Sequence, residues 1–392
     1  MLRFLTAGES HGPQLTAILE GMPAGLSLTA EDVNRDLRRR QQGYGSGGRM
    51  KIERDQVIFT SGVTGDRTTG APITMTVTNL DYQNWQDREV ARMTVPRPGH
   101  ADLTGAIKYR YGDLRLALER ASARETTMRV AVGAVAKKLL SEFGVRIGSY
   151  VTEIGGVVAD IPDLPLEELW ARAEENELRC PDSAGAERMR QRIWDAMQAK
   201  DTLGGCYVVA AVRVPPGLGS HVHWDRRLTG RLAGALLSIH AMKGVEIGDA
   251  FENARRPGTQ VHDEMFYEQG RVVRRTNRAG GLEGGITTGE PIVARVAMKP
   301  ISTTLNPLRS VDLLTGEPAV TKYERSDFCA VTRATVVAEA MMAWVLAEAL
   351  VEKLGGDSIA EMQPRFAALA TNELSTFGWG GPIERSPEDQ HG

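Results

Sequence analysis

From Arg333 to Leu354 the sequence reads as a helix that is apolar on nearly every face. Its most apolar stretch, Val336 to Val351, is interrupted by Glu339 and Glu348, which argues against a membrane span and for a helix inside a protein core. A helix without a polar face is stable in water only when other elements cover it all round. With 392 residues, 42% of them hydrophobic, the chain can bury a core of one large domain or of two to three smaller ones.

The covering elements mix helices and strands. Thr29 reads as an N-cap with Asp32 at the third helical position. The helix it opens runs through Arg38, Arg39 and Arg40 and stops before Gly43-Tyr44-Gly45-Ser46-Gly47-Gly48. Strands are expected over residues 57–61, 72–79, 206–214 and 291–298, and helices over 122–143 and 228–242. Residues 164–200 are polar and helical and read as a surface insertion. Beyond Gly356 the periodicity fades, and residues 380–392 read as a loose tail.

One internal echo stands out. Residues 62–77 read GVTGDRTTGAPITMTV and residues 281–296 read GLEGGITTGEPIVARV, agreeing at eight of sixteen positions. The echo predicts two related halves packed about a pseudo-twofold axis, with a site between them.

Composition narrows the function. Charged residues are 25% and the net charge is −3, so no overall basic field advertises nucleic acid or membrane binding. Aromatics are 6% and do not interleave with the arginines, which disfavours a single-stranded nucleic-acid platform. Three scattered cysteines suit neither a disulfide framework nor a thiolate zinc site, and the start carries no long apolar stretch, so the chain reads as cytoplasmic. His221 and His223 form the one close histidine pair and no acid or Cys cluster accompanies them, so no metal site is expected. Neither a P-loop nor a dinucleotide fingerprint is present. The basic residues are 38 Arg against 9 Lys. Genome composition explains most of that bias, but arginine is also the bidentate reader of phosphate and carboxylate.

Five loops carry candidate chemistry. Gly8-Glu9-Ser10-His11-Gly12 imitates the nucleophile elbow of serine hydrolases, yet too little chain precedes it to supply that fold's oxyanion hole. The other reading gives the work to His11 as a proton donor, with Ser10 donating to an anion. A hydrogen-bonded turn histidine is the plain alternative. Arg97-Pro98-Gly99-His100-Ala101-Asp102 repeats the pairing of Gly and His, and a solvated turn explains it equally. Arg120, Ala121, Ser122 and Arg124 surround a helix start that suits a phosphate or simply caps the helix. Lys299-Pro300-Ile301-Ser302-Thr303 ends a strand with a cation and hydroxyls. Asp327, just before the apolar helix, is placed to be half-buried and to act as a base. Spacing alone thus gives several Gly-rich loops presenting Arg, Ser or His, with a small polyanion as the natural ligand.

Taken together, these motifs, with Val245-Glu246-Ile247-Gly248-Asp249, resemble the chorismate synthase family from Leu5 to about Leu350. The resemblance implies an α+β fold, a single domain built as a β-α-β sandwich with antiparallel sheets around a helical layer, assembled as a homotetramer. It implies a lyase that converts 5-enolpyruvylshikimate 3-phosphate to chorismate by 1,4-anti elimination, using reduced FMN without net redox change. By the same resemblance, His11 protonates the departing phosphate, His100 stands near the flavin N1, and Asp327 assists at N5. Ser10, Arg40, Arg49, Arg97, Arg124 and Arg325 match substrate positions. Arg120, Ala121, Ser122, His240, Ala241, Gly284, Lys299, Pro300, Ile301, Ser302, Thr303 and Arg325 match flavin positions. His240 stands where many members carry a different polar residue. An external reductant is implied, since nothing in the chain suggests a flavin reductase domain. One position departs from the pattern: Ser46 replaces an arginine usual in the family, with Arg49 as the candidate substitute. Two readings from other classes stay open, a non-catalytic phosphate- or nucleotide-binding protein and a serine hydrolase.

Overall fold

A computed structural model describes residues 2–46, 54–86, 90–324 and 326–377. The chain opens with strands β1 (Arg3–Ala7) and β2 (Gln14–Glu20) and helix α1 (Ala30–Gln41). Strands β3 (Ile58–Ser61), β4 (Val63–Thr64), β5 (Arg67–Thr68) and β6 (Ile73–Thr78) follow, then helices α2 (Asp102–Tyr109), α3 (Arg115–Ala121) and α4 (Thr126–Ser141). Next come β7 (Arg146–Ile154), β8 (Val157–Val158), α5 (Leu166–Glu174), α6 (Ser183–Gln198) and β9 (Gly205–Val212). The second half continues with α7 (Leu228–Leu237), β10 (Met242–Ile247), α8 (Ala250–Asn253), β11 (Met265–Glu268), β12 (Arg271–Arg274), β13 (Leu282–Glu283) and β14 (Ile286–Thr287). It closes with β15 (Ile292–Met298), β16 (Arg309–Val311), β17 (Pro318–Val320), α9 (Val331–Leu354) and α10 (Ile359–Ala367).

Two antiparallel sheets face a helical layer. One runs β1-β2-β6-β3 and the other β10-β15-β9-β7-β8. Between them α4 packs on the first sheet and α9 on β7 and β9 of the second, while α4 and α9 pack on each other and on α1. The apolar helix of the sequence is α9, and it is buried from Val331 to Leu354 apart from a few positions. Its contact with α4 is close: a Cβ on Gly133 would lie 2.2 Å from the Cβ of Ala340, so only glycine lets the two backbones meet there.

Glu339, the interruption noted in the apolar run, is fully buried in α9. Arg39 from α1, Lys137 from α4 and Arg179 all bond its carboxylate, at 2.6–3.0 Å. Burial opposes its ionisation, but these cations win and hold it well below the usual carboxylate range. The charge therefore ties three elements together at the centre of the helical layer.

Thr29 caps α1 in a full capping box with Asp32, as its sequence indicates. The long helix expected over 122–143 is divided: residues 123–125 form a 3₁₀ turn, and α4 starts at Thr126. The cap is Ser122, whose hydroxyl accepts from the Arg124 N–H. Residues 164–200 are helical but more than a surface insertion. Leu169 and Trp170 of α5 cover the outer face of the second sheet, and Arg179 reaches the central carboxylate. Past Gly356 the chain is not structureless, because Ser358 and Glu361 build a second capping box that opens α10. The tail at 380–392 lies outside the described residues.

The echoed segments share local structure. Each forms a two-residue hairpin, β4–β5 or β13–β14, followed by a central strand, β6 or β15. Their glycines match too: φ is +80°, +56° and +85° at Gly62, Gly65 and Gly70, and +77°, +58° and +94° at Gly281, Gly284 and Gly289.

Candidate functional site

A cleft of about 800 Å³ opens where the loop after β1, the starts of α2 and α4, the end of β15 and the start of α9 converge. That volume suits small-molecule ligands. Most of the residues singled out in the sequence come together in it.

The loop between β1 and β2 is clamped from three sides. Asn79, just past β6, donates to the carbonyls of Glu9 and Gly12 at 3.2 and 2.8 Å. Ser10 is buried, and its hydroxyl accepts from Ser122 at 3.1 Å. His11 meets Glu119 of α3 twice, through its backbone N–H at 2.8 Å and through Nδ1 at 2.7 Å. Burial disfavours the Glu119 charge, but the bond with His11 outweighs this and lowers its pKa. Trp85 stacks on the imidazole at 4.1 Å. With Nδ1 held by a carboxylate, Nε2 is the nitrogen left for chemistry. A serine hydrolase would pair the Ser10 hydroxyl with the His11 ring, whereas here that hydroxyl accepts from Ser122.

The arginines form a paired cluster. Arg124 grips Asp55 with Nη1 at 2.7 and 2.9 Å and donates from Nε to Asn79 at 2.9 Å. Arg40 reaches the same Asp55 at 3.3 Å, Thr126 at 3.0 Å and the Ala123 carbonyl at 3.1 Å. Burial pulls the Arg40 pKa down to about 10, with Asp55 opposing and the like charges of Arg124 and Arg333 adding. Two guanidinium groups share one carboxylate.

A second network lies across the cleft. Asp102, fully buried at the start of α2, accepts from Arg97 Nε at 2.8 Å and from Arg97 Nη2 at 3.0 Å. His100 Nδ1 lies 2.6 Å from the same carboxylate and 3.1 Å from Arg97 Nη2. One nitrogen cannot serve both, and the shorter contact fits an Nδ1–H donating to Asp102. Burial raises the Asp102 pKa, but the bonds from His100 and Arg97 win and hold it below the usual range. Arg97 also donates to Thr303 at 3.0 Å, tying this network to the end of β15.

Lys299, Ile301, Ser302 and Thr303 line the cleft, with Pro300 between them in the chain. Lys299 donates to the Gly99 carbonyl at 3.0 Å, and a Cβ on Gly99 would lie 3.4 Å from both Lys299 Nζ and Ser302 Cβ, so the two loops close on each other. His240 and Ala241 form the adjoining wall, and Ala121 and Ser122 another. Among the described residues His240 Nδ1 is buried without a hydrogen-bond partner, and burial pushes its pKa down to about 4. A neutral histidine with an unused polar atom, a cation and two hydroxyls fit a reduced flavin with a phosphate tail.

Not every expected residue joins. Arg120 turns away to the carbonyls of Thr6 and Gly8, at 2.7 and 3.2 Å, and anchors β1. Gly284 sits in the β13–β14 turn and does not line the cleft. Arg49 and Arg325 lie outside the described residues. Conversely, Glu119, Asp55, Trp85, Arg115 and Arg333 belong to the cleft or support its walls without having been singled out. A hint exists for Arg333, a cation opening an apolar helix. Nothing local marks Asp55 or Glu119, whose partners are distant in sequence.

A cleft with two carboxylate-held histidines, a shared-carboxylate arginine cluster and a Lys–hydroxyl loop defines an enzyme that handles a small polyanion. The comparisons with known proteins agree. The family model "Chorismate synthase" matches residues 2–351. The chain is 56% identical over 383 residues to the chorismate synthase of Pelobacter propionicus, covering 93% of this chain and 98% of that one. It is 53% identical over 383 residues to that of Geobacter sulfurreducens, covering 93% and 98%. A solved structure, "Crystal Structure of Chorismate Synthase", matches with a TM-score of 0.78 and 46% identity over 93% of this chain and 96% of that one. This chain belongs to the chorismate synthase family.

Proposed function

We propose that this chain converts 5-enolpyruvylshikimate 3-phosphate to chorismate and phosphate in the cleft described. The carrying observation is the pairing, in one cleft, of the Glu119-held His11 with the Arg40–Arg124–Asp55 cluster. The C3–O bond and the C6–H bond break. The C6–H electron pair forms a C1–C6 double bond, the existing C1–C2 double bond shifts to C2–C3, and the C–O pair leaves with phosphate.

The chain's own residues divide this work. Arg40 and Arg124 hold the anionic groups of the substrate. Ser10 adds a hydroxyl beside them. His11, kept in one orientation by Glu119, gives the Nε2 proton to the departing phosphate. His100, held by Asp102, would stand beside the cofactor and help to set its charge, and the Asp327 carboxylate would accept the proton lost from the substrate. His240, Ala241 and the Lys299–Thr303 loop would hold FMN, whose reduced form would supply electron density to the departing phosphate's carbon framework.

Two wider features belong to the same reading. The echoed segments support an internal duplication with the site between its halves. Exposed Leu5 and Ile18, paired across β1 and β2, support assembly into a homotetramer through the first sheet. A cytoplasmic setting with an external flavin reductant accords with three free thiols. The test is anaerobic: purified protein, substrate and chemically reduced FMN. Chorismate is expected, and none is expected when reduced FMN is left out. Absence of chorismate with reduced FMN present would leave only a phosphate-binding protein.

A further inference from the structure

Arg333 is a cleft residue to which no role has been given. It projects from the first turn of α9 and is largely buried, its side chain only 12% exposed. Its guanidinium spans two elements: Nη1 pairs with the Asp327 carboxylate, and Nη2 donates to the Ser46 hydroxyl. Ser46 in turn donates to the Gly43 carbonyl. The backbone closes the same joint, since the Phe328 N–H donates to the Gly45 carbonyl at 2.9 Å. A Cβ on Gly43 would lie 2.3 Å from Thr332 Oγ1, so this stretch of the Gly-rich loop rests directly on the start of α9.

We propose that Arg333 is the positioning residue of this site: it orients the Asp327 carboxylate and locks the Gly-rich loop to α9 through Ser46. Without Arg333 the Asp327 carboxylate loses its charge-assisted bond to Nη1, and the loop loses its bond to Nη2. The proposal rests on the reading of Asp327 as the proton acceptor.

The test compares Arg333→Ala, Arg333→Lys, Asp327→Asn and the double variant Arg333→Ala/Asp327→Asn, each assayed anaerobically with reduced FMN. Arg333→Ala is expected to lower kcat by roughly 10- to 100-fold while KM changes by less than about threefold, the pattern of a group acting on the chemical step. Added guanidinium ion restores part of that loss, and Arg333→Lys stands between the two. In the Asp327→Asn background, removal of Arg333 costs less than about threefold more, because both changes strike one unit. Thermal melting confirms that each variant folds, and guanidinium rescue separates positioning from mere structural support. Wild-type kcat in Arg333→Ala, or an undiminished penalty for Arg333→Ala in the Asp327→Asn background, overturns the proposal. Wild-type turnover in Asp327→Asn instead overturns the reading of Asp327 on which it rests.

Discussion

The chain before α1 and the chain before α7 are each tied to a two-residue hairpin, β4–β5 or β13–β14, by the same set of hydrogen bonds. In the first, the Gly25 N–H donates to the Thr68 carbonyl at 2.8 Å, the Leu26 N–H to the Thr68 hydroxyl at 3.0 Å, and that hydroxyl to the Pro23 carbonyl at 2.6 Å. In the second, Gly217 bonds the Thr287 carbonyl at 2.9 Å, Leu218 the Thr287 hydroxyl at 2.8 Å, and the hydroxyl the Pro215 carbonyl at 2.7 Å. The scaffold is shared and the chemistry is not. Past β6 the first unit puts Asn79, which clamps the loop of Ser10 and His11. Past β15 the second puts the Lys299–Thr303 loop beside His240 and Ala241. Similar hairpins therefore stand next to two different loops, the turn of Ser10 and His11 and the Lys299–Thr303 loop.

The centre of the helical layer should show the largest effect. Glu339→Gln leaves three buried cations short of a counterion, and the expected loss of stability is about 3–5 kcal/mol by denaturant unfolding. Because the folded carboxylate titrates well below its ordinary value of 4.5, its contribution is complete above that pH and fades as acid reaches the lower, folded value. The variant should thus show a flatter stability profile on the acid side. A steep profile in the variant would place acid sensitivity elsewhere.

The division of labour comes next. Lys299→Ala should weaken FMN binding by roughly 10-fold, with a smaller change in the substrate KM, as loss of one charge-assisted contact would give. Equal weakening of both ligands would erase the contrast between the two units.

The shared frame predicts the smallest effect and a symmetric one. Thr68→Val and Thr287→Val each leave a backbone N–H and a carbonyl unpaired, and each should cost about 1–3 kcal/mol. A neutral result at one site would show that the two frames are not equivalent in solution.

Much of this was legible in sequence where the cause is local. The Thr29 and Asp32 pair writes its own capping box, the apolar periodicity of α9 forces burial, and the glycine echo marks the repeated hairpins. The cleft histidines were legible as motifs, but their partners were not. Glu119 and Asp55 act through contacts that only the fold creates, 108 residues from His11 and 69 from Arg124. Arg120 shows the converse: a cation beside a promising helix start is spent on the carbonyls of β1, because those acceptors lie nearer than the cleft. The α10 capping box went unread because the apolar signal behind it is short.

On the proposed reading, the loop clamped by Asn79 gives the proton to the phosphate and the loop after β15 holds the cofactor. His11→Ala tests it most directly, assayed anaerobically with the phosphorylated substrate and reduced FMN, with binding of both ligands measured in parallel. The account predicts binding of FMN and substrate within about threefold of the unaltered protein and chorismate formation slowed by roughly 10²–10⁴-fold, the range of a lost general acid. Ser10→Ala should be milder. Turnover at the unaltered rate in His11→Ala, or loss of FMN binding together with turnover, would contradict it.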